Sequence, residues 1–106
     1  MSASVSTEKF GVMPDGNEVV LYRIQGGKGV SAEIISLGAI IHRLYAPDKS
    51  GELADVVFGR NNVEEYLGPG GNPCAAFFGR VANRISEGKF QIGDKVYETE
   101  KNNPGG

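Results

Sequence analysis

The sequence has almost no cysteine or histidine, little net charge and no long apolar run, and each shortage removes a class of function. Cys74 stands alone and cannot close an internal disulfide, while His42 has neither a second histidine nor a cysteine cluster with which to hold a metal. Eleven Lys and Arg against 13 Asp and Glu leave a formal charge of −2, with the basic residues scattered along the chain. Nothing supplies the concentrated positive field that phosphate backbones or anionic membranes demand, so neither nucleic acid nor membrane is an expected partner. No apolar run approaches the ~20 residues that span a bilayer, and Met1-Ser-Ala-Ser-Val5 lacks the basic start and apolar core of a secretory signal. A soluble, cytoplasmic protein is the expectation.

Glycine, by contrast, is plentiful, 16 of 106 residues, and five prolines accompany it. In a chain the size of one small domain, 40% hydrophobic and 23% charged, that composition means many turns around a thin core. Strand signals fill the intervals. Val19–Ile24 is β-branched and aromatic, Gly26-Gly-Lys-Gly29 can reverse it, and residues 30–37 return as the second arm of a hairpin. Residues 39–45 read as a further strand, terminated by Pro47, which has no N–H to give a ladder, and followed by a turn at 48–51. Asp55–Phe58 reads as a short apolar strand. The single helical signal is 62–67, with Asn62 as cap and Glu64 and Glu65 in an acidic first turn. The breaker cluster 68–73 reads as a surface loop.

A last hairpin follows. Phe90 and Ile92 alternate with Lys89 and Gln91, Gly93-Asp94 makes a two-residue turn with glycine first, and Val96–Thr99 returns. Strands at this spacing predict an all-β, antiparallel sandwich or barrel rather than alternating βαβ units.

Most chemically suggestive residues have a plainer reading. Strand alternation puts His42 beside Ile40 and Leu44, which makes it structural. Cys74 has no histidine placed to activate it and reads as a small buried hydrophobe. Glu64 and Glu65 are helix neighbours, about 100° apart, and cannot close on one substrate as an acid/base pair. The stretch Gly68-Pro-Gly-Gly71 lacks the Lys-Ser/Thr ending of a nucleotide loop. Arg80, Asn83 and Arg84 are harder to dismiss. In Phe77-Phe-Gly-Arg-Val-Ala-Asn-Arg-Ile85, two-fold alternation gives mixed faces, and a guanidinium there must sit in water or aim into a polar cavity.

The residues Gly79-Arg-Val-Ala-Asn-Arg-Ile85, followed by Gly88-Lys-Phe90, Ile92, Tyr97 and Asn102-Asn103, closely resemble the galactose mutarotase (aldose 1-epimerase) family. Leu37-Gly-Ala39, Pro47-Asp-Lys-Ser-Gly51 and Ala54-Asp-Val-Val-Phe-Gly59 resemble the same family's early strands, in the same order. The resemblance implies a large antiparallel β-sandwich that interconverts the α and β anomers of aldohexoses such as galactose and glucose, without metal or organic cofactor. It implies a glutamate that takes the proton of the C1 hydroxyl and a histidine that protonates the ring oxygen. It assigns sugar binding to Asn83 and Arg84 and leaves Arg80 as structural support. One departure is the Gly93-Asp94 turn, where the family often has Asp-Gly.

A second departure is larger. The family's Leu-His-Gly-Gly motif, its acid histidine, its sugar-binding aspartate and its base glutamate all come later than this sequence reaches, and Gly105-Gly106 is not that motif. No residue of this chain is therefore assigned to catalysis. The expectation is that residues 1–106 are the amino-terminal portion of one epimerase-like sandwich domain, inactive alone. A half sandwich leaves apolar strands uncovered and predicts self-association. A non-catalytic carbohydrate-binding or interaction module is the alternative, and a relative acting on a phosphorylated hexose is a minor one.

Overall fold

The structure is a computed structural model that describes residues 3–68, 75–82 and 84–101. Five strands run in sequence order as an antiparallel meander: β1 (Ser4–Val12), β2 (Glu18–Gln25), β3 (Ser31–Ile35), β4 (Ile41–Pro47) and β5 (Leu53–Asp55). Among the described residues, helix α1 (Val63–Leu67) follows, then a 3₁₀ turn (Ser86–Gly88) and a separate hairpin of β6 (Lys89–Ile92) and β7 (Lys95–Glu98). The all-β, antiparallel architecture is the expected one.

The central strands form where β-branched residues cluster, and their turns use the residues turns need. Gly29 closes the β2–β3 connection at φ +83°, a conformation that favours glycine. Asp48 Oδ1 accepts from the N–H groups of Ser50 and Glu52, which closes the β4–β5 turn. At the head of α1, Asn62 Oδ1 accepts from Glu65 N–H at 2.8 Å, and the Glu65 carboxylate reaches back to Asn61 N–H at 2.7 Å. Glu65 thus serves the helix start, and both Glu64 and Glu65 are exposed.

Three elements depart from the sequence reading. Strand β1 carries no apolar signal because Ser4–Lys9 is exposed along its whole length. The short strand expected over 55–58 lies instead at Leu53–Asp55. Asp55 Oδ1 accepts from Leu44 N–H at 3.0 Å and Val57 N–H at 3.1 Å, so the side chain takes over where the ladder stops. The described residues of 77–85 form no strand. The breaker loop over 69–73, Cys74, Asn83 and Asn102-Asn103 lie outside the described residues.

The sheet is curled, and two bulges show how. β1 pairs Lys9 with Val20 and Gly11 with Val19, leaving Phe10 as the extra residue; β4 pairs Arg43 with Glu33 and Ile41 with Ile34, leaving His42 as the extra residue. Two strands separate β1 from β4, about 14 Å in a flat sheet. Yet the Phe10 and His42 rings meet edge to face at 4.7 Å between centroids. The concave side holds the core: Val19, Leu21, Ile35, Ile40, and Val63 and Tyr66 of α1, with Phe10, Met13, Leu37 and Ala76 around them. Across the strands runs a charge ladder in which Arg23 bonds Glu8 at 2.9 Å and Glu33 at 3.1 Å, with Arg43 3.8 Å from Glu33. These carboxylates hold the Arg23 guanidinium charge, Glu33 first.

The β6–β7 hairpin adds nothing to that core. Phe90 and Tyr97 stack on each other at 5.2 Å, and Phe90, Ile92 and Val96 are exposed. The radius of gyration, 17.7 Å, compares with about 13 Å for a compact domain of this length. The hairpin and the apolar segment leading to it are not covered by the five-stranded sheet.

Candidate functional site

Two regions carry groups that could act on a ligand. The first is the arginine-bearing segment. Arg80 and Arg84 are exposed, as are Phe77, Phe78 and Val81, the last three with 62–80% of their surface accessible. Arg84 stands just before the 3₁₀ turn, whose Gly88 takes φ +69° and whose Gly88 N–H bonds Ile85 carbonyl oxygen at 2.9 Å. Thr99 closes the far side by donating both its N–H and its hydroxyl to the Gly88 carbonyl. The backbone after Arg84 is therefore pinned to the end of β7, and the guanidinium is free to face a partner. Its neighbour Asn83 is outside the described residues.

The second region is a cleft of about 290 Å³ at the β4–β5 edge, walled by His42, Arg43, Asp55 and the loop from Val57 to Asn61. Arg84 does not border it. Sequence reasoning singled out only His42 here, and alternation placed it correctly on the buried face beside Ile40 but gave no hint of its partner. His42 is 3% exposed, and its Nδ1 lies 2.8 Å from the Tyr66 hydroxyl. That hydroxyl also accepts the backbone N–H of Arg60 at 3.1 Å. On the other side of the ring, Nε2 is 3.4 Å from Arg43 Nε. Burial, and then the Arg43 charge, push the imidazole pKa below its ordinary 6.5, with Glu33 and Asp55 pulling the other way.

The loop can lie this close only because residue 59 is glycine. A Cβ there would collide with the His42 carbonyl and stand 3.1 Å from the Tyr66 hydroxyl. Beyond it, the Arg60 guanidinium lies over the exposed Phe58 ring at 5.6 Å. The one signal for this arrangement in the sequence is Gly59 itself, read there only as a strand terminator.

A five-stranded curled antiparallel sheet with an appended hairpin defines an all-β protein. The sequence model of the aldose 1-epimerase family matches residues 20–106. Galactose mutarotase from Mus musculus is 40% identical over 95 residues, covering 89% of this chain and 27% of that protein. Galactose mutarotase from Homo sapiens is 38% identical over 97 residues, 90% of this chain and 28% of its own length. A probable aldose 1-epimerase from Arthroderma benhamiae is 33% identical over 89 residues, 81% of this chain and 20% of its own. The chain belongs to the aldose 1-epimerase family, and its match is to the family's amino-terminal portion. It spans less than a third of the length of these curated relatives.

Proposed function

We infer that residues 1–106 form the amino-terminal portion of a single β-sandwich domain that interconverts the α and β anomers of aldohexoses such as galactose and glucose, with Asn83 and Arg84 binding the sugar. The observation that carries this reading is the ordered motif 79–85 inside a family match that runs from residue 20 to residue 106. Arginine offers a rigid fork of donors to vicinal hydroxyls, and the asparagine amide both donates and accepts.

Ring opening needs a base at the C1 hydroxyl and an acid at the ring oxygen, on opposite sides of one hemiacetal. The sole histidine does not fit the acid's part: His42 is buried, engaged with Tyr66 and Arg43, and biased toward its neutral form. The family resemblance assigns the proton-transfer groups to the part of the family fold beyond this match. The exposed Phe77, Phe78, Val81, Ile92 and Val96 support the same reading, since they are apolar side chains of the kind that further strands of a sandwich, or a second copy, would cover.

Polarimetry of freshly dissolved α-galactose tests it. The 106-residue chain alone is expected to leave the mutarotation rate at that of buffer and to sediment as more than a monomer. Mixing with the remaining family segment, expressed as a separate chain, is expected to accelerate the rate. No acceleration by a mixture shown to associate would refute the epimerase reading, and saturable galactose binding by a stable monomer would favour the non-catalytic carbohydrate-binding module instead.

A further inference from the structure

Two bulges facing each other across a curled sheet are an uncommon expense of backbone pairing, and sugar binding by Asn83 and Arg84 makes no use of them. A bulge re-aims a side chain. Here the pair aims a titratable ring at Tyr66: Phe10 packs on the His42 ring at 4.7 Å and on Tyr66 at 6.3 Å. From Tyr66 the chain of contacts continues to Arg60 N–H, in the loop that walls the cleft. The geometry points to a pH-operated latch, in which neutral His42 holds Tyr66 and with it the 59–61 wall of the cleft, and protonation of the ring releases that wall.

The groups around the ring decide the direction. Arg43 faces it from β4 itself, Glu33 from β3, Asp55 from β5, Tyr66 from α1 and the uncharged Phe10 from β1. Arg60 bonds the same tyrosine through its backbone and lines the same cleft. A neutral imidazole keeps one lone pair, and Arg43 Nε–H is placed to donate to it at Nε2, which leaves Nδ1–H to donate to the Tyr66 hydroxyl. A protonated ring has two N–H groups and no lone pair. Its Nε2–H then confronts the Arg43 guanidinium, cation against cation, in a site where the ring is only 3% exposed, and this repulsion drives the ring from the position at which its Nδ1 meets the Tyr66 hydroxyl. The nearby carboxylates compensate little, because Glu33 is shared by Arg23 and Arg43 and Asp55 Oδ1 is taken by two backbone N–H groups.

The sign follows from where the proton is held. The open or unfolded state binds it with the ordinary pKa of 6.5, and the closed state binds it less well, so the latch is fully held above pH 6.5 and lost as pH falls through the closed-state value. Each unit by which that value lies below 6.5 allows the open-to-closed ratio to rise about tenfold on acidification. The latch depends on the five-stranded sheet and helix α1, not on the sugar reading.

Because His42 is the sole histidine, its Cε1–H proton resonance can be followed without assignment in the 106-residue chain. The expected midpoint lies below 6.5. Amide exchange over 59–66, corrected for the intrinsic pH dependence, is expected to accelerate as that midpoint is crossed, while 19–24 stays protected. In His42→Gln the acid step in 59–66 should vanish. A midpoint at or above 6.5 overturns the latch, as does exchange over 59–66 that tracks 19–24 at every pH, or an acid step that persists in the glutamine variant.

Discussion

Ile35→Ala is expected to lower the melting temperature of the chain by roughly 10–30 °C, the largest stability effect of any single truncation in the five-stranded sheet. Ile35 closes β3 with no exposed surface and packs in a buried cluster of six apolar residues among the described residues. Removing its branched side chain loses the transfer energy of the deleted carbons and leaves a void that so small a core cannot collapse around; such truncations cost about 2–5 kcal/mol, and each kcal/mol is worth roughly 4–8 °C in a domain of this size. The backbone offers no relief, because Ile35 N–H is fixed to the Ile40 carbonyl at 3.0 Å by the β3–β4 turn. Circular-dichroism melting measures the effect, with Ile92→Ala as the comparison. Ile92 is 64% exposed on the hairpin, and its truncation should stay within about 0.5 kcal/mol of the parent. Equal losses from the two variants would mean that the buried cluster does not hold the sheet together.

How legible this fold was depended on how each element is held. Strands β2 to β4 carry their own β-branched signal, and α1 announces itself through Asn62, so those elements stand close to where the sequence puts them. Strand β1 stays silent because its side chains from Ser4 to Lys9 face solvent, and there only the backbone ladder to β2 makes it a strand. Val56-Val57-Phe58 draws the eye past β5, whereas a single carboxylate, Asp55, sets the end of that strand by capturing two backbone N–H groups. The candidate sites divide in the same way. Asn83 and Arg84 can be read only as a motif, since no local periodicity gives them a shared face. The His42–Tyr66–Arg60 chain could not be read at all, because it depends on two bulges and a glycine that bring residues from β1, β4 and α1 onto one ring. Alternation counts residues in pairs, and a bulge is the place where that count fails.

Arg84→Ala, made in this chain and assayed together with the rest of the family fold, is expected to lower kcat/KM for α-galactose by about 10–100-fold, the range that follows from losing hydrogen bonds made by a charged donor. The argument starts from exposure. Arg84 is exposed and bound to no charged partner in the described contacts, so its removal should change folding stability by no more than about 0.5 kcal/mol, and a loss of activity must come from the ligand. Lysine at the same position keeps the charge and loses the planar fork, so Arg84→Lys should recover only part of the loss. If the guanidinium grips hydroxyls that do not change during ring opening, KM rises and kcat holds; if it supports the developing charge on the opened sugar, kcat falls as well. Arg80 provides the internal comparison, because it lies four residues upstream, is also exposed, and is assigned no contact with sugar. Arg80→Ala should therefore leave kcat/KM near the parent value. An Arg84→Ala enzyme with undiminished kcat/KM, or one matched by Arg80→Ala, would remove the sugar from residue 84 and with it the reason for reading the 79–85 segment as the wall of a pyranose site.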